Sequence, residues 1–160
     1  MNRSPYLVIS VATTGLFSEN YTPKLLEVAA VLVRPNDGRS RPGHFHMFVN
    51  QPPEHLTTQQ ALGAQKFHGI TPDMSATAFT EPEVREAFTA WRKGLIAGLF
   101  KQGQILSGWR AYNRDFVSLI LCDAWVEALG GFSAAGRCVM EDAAAVLGHH
   151  GAVQEKWDGS

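Results

Sequence analysis

A short apolar, β-branched run, Tyr6-Leu7-Val8-Ile9-Ser10-Val11-Ala12, constrains this chain more than any other stretch, because a turn and a second extended run come directly after it. Thr13-Thr14-Gly15-Leu16 breaks the run, and Leu25-Leu26-Glu27-Val28-Ala29-Ala30-Val31-Leu32-Val33 resumes extended character. Apolar runs of this length, bounded by turn residues, read as strands rather than helices. Arg34-Pro35-Asn36-Asp37-Gly38 then turns the chain, and Pro42 and Gly43 complete a ragged hairpin connection. His44-Phe45-His46-Met47-Phe48-Val49 alternates, which puts Phe45, Met47 and Val49 on one face of a third strand. Consecutive antiparallel strands make a meander.

Beyond it the period changes. A helix is expected over 56–67, with Thr57 or Thr58 as its cap, and His68-Gly69-Ile70-Thr71 then forms a turn. Val84, Ala87, Phe88, Trp91, Leu95 and Leu99 recur at helical spacing over 81–100, with acids in the first turn and Pro82 at its start. A short buried strand is expected over 104–109. Asn113 caps a helix running to about Leu129, which Gly130-Gly131 ends. A fifth strand near 137–140 and a helix from Glu141 precede a polar tail that carries Trp157. Antiparallel strands followed by strand–helix alternation predict an α/β fold, a mixed sheet with helices on its faces.

The 160 residues suit one domain able to bury a sizeable core. A net charge of -1 and a pI near 6.6 provide no global basic field for nucleic acid or anionic membrane, though a local basic groove is compatible with them. Cys122 and Cys138 lack paired spacing, as expected of reduced thiols in a cytoplasmic protein. No apolar run approaches the ~20 residues of a membrane-spanning helix. Trp91 and Trp125, at helical spacing, are expected in the core.

In their order along the chain, Thr13-Thr14-Gly15-Leu16, Glu27, His68-Gly69-Ile70-Thr71, Asn113 and Phe116 resemble the motifs of the DEDD exonucleases (DEDDh-type, with polymerase proofreading subunits and ribonuclease T). The resemblance implies a ribonuclease H-like fold with a five-stranded sheet in the order 3-2-1-4-5, and single-stranded nucleic acid as ligand. It also implies homodimers and hydrolysis by two Mg or Mn ions. In that family the first strand ends in Asp-x-Glu; here those positions hold Ser10 and Ala12. The family's Asn-x-x-Phe-Asp is Asn113-Arg114-Asp115-Phe116-Val117, with Val117 at the carboxylate position. Asp115 is turned ~200° from Val117 on a helix, so it reads as a first-turn acid suited to the dipole. The third family motif, a His before a final Asp on a last helix, has no match, since His149-His150 fall too early. That helix reads as missing or shortened.

Two close dications need converging carboxylate oxygens, which Ser10, Ala12 and Val117 do not supply. The expectation is therefore a pseudo-exonuclease without metal cofactor, a binding or regulatory module for nucleic acid or for a nuclease or polymerase. Arg34, Arg39, Arg41, Arg110 and Arg114 read as solvated charges. Thr14, Gly15, Leu16, His68, Asn113, Phe116 and Trp157 are the candidate binding residues, with backbone amides near Thr14 and Gly15 as phosphate donors. The alternative is an active 3′–5′ exonuclease with relocated ligands drawn from Glu27, Asp115, Asp142 and the His149-His150 pair. In the binding reading Glu27 pairs with backbone or an Arg in the sheet, because a buried acid needs a partner.

Overall fold

The computed structural model describes residues 4–34, 43–121, 123–130 and 136–138. Strands β1 (Tyr6–Thr13), β2 (Leu25–Val33) and β3 (His44–Phe48) form the expected antiparallel meander. Helices α1 (Pro53–Leu56), α2 (Gln59–His68), α3 (Pro72–Ala76) and α4 (Glu81–Lys101) come next. Strand β4 (Trp109–Ala111) follows, then helix α5 (Arg114–Leu121), a 3-10 turn over Asp123–Trp125, and strand β5 (Gly136–Cys138). β4 pairs in parallel with β1, and the short β5 adds to the outer edge of β4, so the strand order is β3-β2-β1-β4-β5. The mixed α/β architecture and strand order are those implied by the resemblance.

Alternation along β1 and β2 decides where the core sits. Leu7 and Ile9, with Val28, Ala30 and Leu32, face α4 and α5, where Val84, Phe88, Leu99, Val117 and Leu121 meet them. Burying each such side chain contributes about 1.5–3 kcal/mol. Phe88 lies at the centre, its ring 5.2 Å from Phe45, 5.6 Å from Trp91 and 5.7 Å from Trp125. Trp125 is fully buried and Trp91 packs against the core, as their spacing predicts.

The opposite face is covered differently. Ala12 lies across from Glu27 and Thr13 across from Leu25, which leaves Leu26 as the extra residue of a β-bulge. Leu25 stays with the main core, whereas Leu26 packs with Leu56, Ile70, Ala12 and Phe48 in a second cluster. The bulge thereby anchors the α1–α3 segment beside the end of β1.

Helix starts follow side-chain chemistry. Thr58 Oγ1 accepts the Ala61 N–H at 3.1 Å, so the helix expected over 56–67 starts at Gln59 with Thr58 as its cap, and Leu56 instead ends the separate turn α1. Thr80 caps α4 in a capping box with Glu83. Two sequence expectations are corrected. The strand expected over 104–109 begins only at Trp109, because Gly103 and Gly108 carry positive φ and Ile105 is 74% exposed. The helix expected to reach Leu129 stops at Leu121, and the following turn instead buries Trp125, Ala128 and Leu129. There Trp125 Nε1 donates to Glu81 Oε1 at 3.1 Å. The hairpin tip with Arg39 and Arg41, and Asp142, His149, His150 and Trp157, lie outside the described residues.

Candidate functional site

The end of β1 and the loop after it form one wall of a cleft. Thr14 is fully buried; its hydroxyl accepts the Lys24 N–H at 2.8 Å and meets the Tyr21 hydroxyl at 2.6 Å. Thr13 Oγ1 donates to the Gly15 carbonyl at 2.8 Å. Gly15 has φ +146°, and a Cβ there would sit 3.4 Å from both Gln60 and Tyr21, so glycine is required at this bend. The bend carries Leu16 and Phe17 out to 60% and 38% exposure.

Helix α2 forms the second wall. Gln59, Gln60, Gly63, Ala64, Phe67 and His68 share one face of it by helical spacing, and the small Gly63 and Ala64 hollow out its middle. Gly69, in the left-handed conformation at φ +69°, closes the helix by donating to the Gln65 carbonyl at 2.8 Å. From α5, Phe116 stands edge-on to Phe17 with centroids 5.8 Å apart. The resulting open cleft of about 920 Å³ is also lined by Val11, Ala12, Thr13, Leu16 and Ser18. Among the described residues none on the lining is Asp, Glu, Lys or Arg.

Among the described residues His68 is the titratable group on the lining. Its Nδ1 accepts the Ile70 N–H at 2.9 Å, so in the neutral ring the proton sits on Nε2. Nε2 is itself buried, with no hydrogen-bond partner among the described residues. Burial holds the His68 pKa below the usual imidazole value, against the smaller opposing influences of the Thr13 backbone and the Glu27 charge.

The structure sorts the sequence candidates into separate places. Gly15, Leu16, His68 and Phe116 come together on the cleft, joined by Ala12. Thr14 does not face it: the residue is inside, and its N–H goes to the Lys24 carbonyl at 3.0 Å. The Gly15 N–H points to Thr13 Oγ1 at 3.4 Å, so the amides expected to meet phosphate are engaged within the turn. Asn113 is the expected cap of α5, with Oδ1 accepting the Phe116 N–H at 3.0 Å. Asp115 is exposed and lies 3.0 Å from Arg114, as a first-turn surface acid should. The partner of Glu27 is neither backbone nor Arg: His46 Nε2, one strand over, lies 2.6 Å from Glu27 Oε2. Arg34 donates to Gln102 at 3.2 Å and Arg110 lies 3.8 Å over the Tyr6 ring.

Sequence reasoning missed Phe17, Gln59, Gln60 and Phe67. The available signal was the spacing of Gln59, Gly63 and Phe67, which stacks polar, small and aromatic residues on one helical face.

The positions of a two-metal site carry almost no oxygen ligands here. Ser10 is exposed, Ala12 offers a methyl group to the second cluster, and Val117 is buried in the main core at 4% exposure. Glu27 is already paired with His46. Among the described residues no group of three His, Cys, Asp or Glu side chains is placed to hold a metal ion. The donor set of the described residues therefore does not fit a pair of hard divalent cations.

The chain is thus a mixed sheet in the order 3-2-1-4-5 with a long helix across one face, an α/β fold. Solved structures of 3′-exonucleases share it. The nuclease domain of 3'hExo, a DEDDh family member bound to rAMP, matches with TM-score 0.58 and 15% identity over 98% of this chain and 94% of that one. E. coli exonuclease I in complex with a dT13 oligonucleotide matches with TM-score 0.55 and 14% identity, over 90% of this chain and 30% of that chain. Cell-death related nuclease 4 (CRN-4) matches with TM-score 0.55 and 21% identity over 74% of this chain, which spans 39% of that nuclease. At these identities the likeness is one of fold. No protein-family model matches the chain, and no curated protein does. No helix among the described residues is long and apolar enough to cross a membrane.

Proposed function

We propose that this chain is a catalytically silent exonuclease-fold protein that binds an unstacked base at the end of a single-stranded nucleic acid. The observation that carries the reading is the cleft beside the end of β1. It has Ala12 where the family has a carboxylate, and an exposed rim of Leu16, Phe17 and Phe67. Bases stack on such side chains whatever their sequence, at about 1–3 kcal/mol each. The fold neighbours that hold rAMP and a dT13 oligonucleotide support the choice of ligand class. The missing oxygen ligands support loss of hydrolysis, since no residue among those described replaces them.

A homodimer belongs to the same reading, on the resemblance to a family whose members pair. The cytoplasmic assignment rests on the unpaired spacing of Cys122 and Cys138. The test is incubation of a 3′-labelled oligonucleotide with the protein in Mg²⁺ or Mn²⁺, with fluorescence anisotropy on the same strand. Binding without shortening is expected. Stepwise shortening that disappears in Glu27→Gln would overturn the reading in favour of an exonuclease with relocated ligands.

A further inference from the structure

We infer, resting on the binding reading above, that the cleft recognises the base and sugar of a nucleotide and ignores its phosphate, so that the unit it reads is a nucleoside. A phosphate-reading groove needs cations or free amides, because phosphate contacts supply most of the affinity of ordinary nucleic-acid binders. Among the described residues this cleft has no Lys or Arg on its lining. The Thr14 and Gly15 amides are spent inside the turn, on Lys24 and Thr13. At the start of α2, Thr58 Oγ1 takes the Ala61 N–H. Burial also disfavours a charge on His68.

What the cleft does offer suits an uncharged planar group. Phe67 is 93% exposed, at a cost in hydrated apolar surface that an aromatic ligand would remove. Phe17 and Phe116 hold each other edge-on and so keep a fixed wall opposite. Gln59 and Gln60 also line the cleft, and each carboxamide carries both donors and an acceptor, the complement of a base edge. The volume of about 920 Å³ falls within the range of small-molecule sites, ~300–1,000 Å³, with room for a base and its sugar.

The test uses the full chain and a fluorescein-labelled strand of about six nucleotides. Its dissociation constant is measured between about 50 and about 300 mM salt; three phosphate contacts would weaken binding about 40-fold over that range, and a change under about twofold is expected. Adenosine and AMP are then used as competitors and are expected to displace the strand equally. Phe67→Ser, a change at an exposed position, is expected to weaken binding about fivefold or more without altering the unfolding midpoint.

A steep salt dependence, with AMP displacing the strand where adenosine fails, overturns the nucleoside inference and leaves single-strand binding standing. Absence of strand binding at every salt overturns both. A cleft that ignores both competitors while the protein doubles its mass on sedimentation also overturns the inference, its occupant then being a second copy of the chain.

Discussion

The Thr14 hydroxyl accepts the Lys24 N–H and meets the Tyr21 hydroxyl, with the residue closed to solvent. Thr14→Val keeps the shape but leaves a buried N–H unsatisfied, at a cost of about 1–3 kcal/mol. Urea unfolding should show that loss. His68 makes a pH prediction whose sign follows from burial. Its folded pKa is below the 6.5 of a free imidazole, so below pH 6.5 the unfolded chain binds more protons than the folded one. The His68 contribution is therefore fully present above that pH and is lost as pH falls toward the folded pKa. Unfolding midpoints at neutral and mildly acid pH should separate in the native chain and draw together in His68→Gln. Thr14 and His68 stand out in the sequence as members of recognisable motifs, but their roles do not. A motif records residue type and order, and burial depends on what the rest of the chain packs over it.

At the level of elements, β2 runs over 25–33 as its composition predicts, and α4 starts at Glu81 behind its Thr80 cap. Local signals suffice there: a β-branched run between turn residues, and a Thr followed three positions later by Glu. Thr80→Ala should cost about 1 kcal/mol, measured by chemical denaturation, because it opens the capping box. Phe88→Ala should cost about 3–5 kcal/mol, because it removes the ring shared by β3, α4 and the turn after α5. Local signals fail for β4 and the end of α5. An apolar run before Trp109 and a helical period beyond Leu121 both look regular, yet glycine conformation and the burial of Trp125 place the boundaries elsewhere.

Across the whole molecule, the positions that resemble a metal site are divided between environments. Ser10 faces solvent, Ala12 belongs to the small cluster, and Val117 belongs to the main core. Restoring an acid at Val117 should therefore destabilise rather than reactivate: Val117→Asp buries an unpaired charge, at about 4 kcal/mol or more. Added Mn²⁺ should not recover the thermal midpoint of that variant. Recovery would mean that Ser10, Ala12 and Val117 lie close enough to share an ion. The order of apolar runs, caps and glycine turns was enough to determine the α/β class and the meander, since those depend on near neighbours in the chain, whereas the strand order was legible only through the family resemblance, because β4 pairs with β1 about a hundred residues away. The tertiary structure alone decided that Leu26 bulges to the second face, that Thr14 closes inward, and that Phe17, Phe67 and Phe116 share one cleft. Contacts between residues that far apart in sequence exist only once the sheet has brought β1, α2 and α5 together.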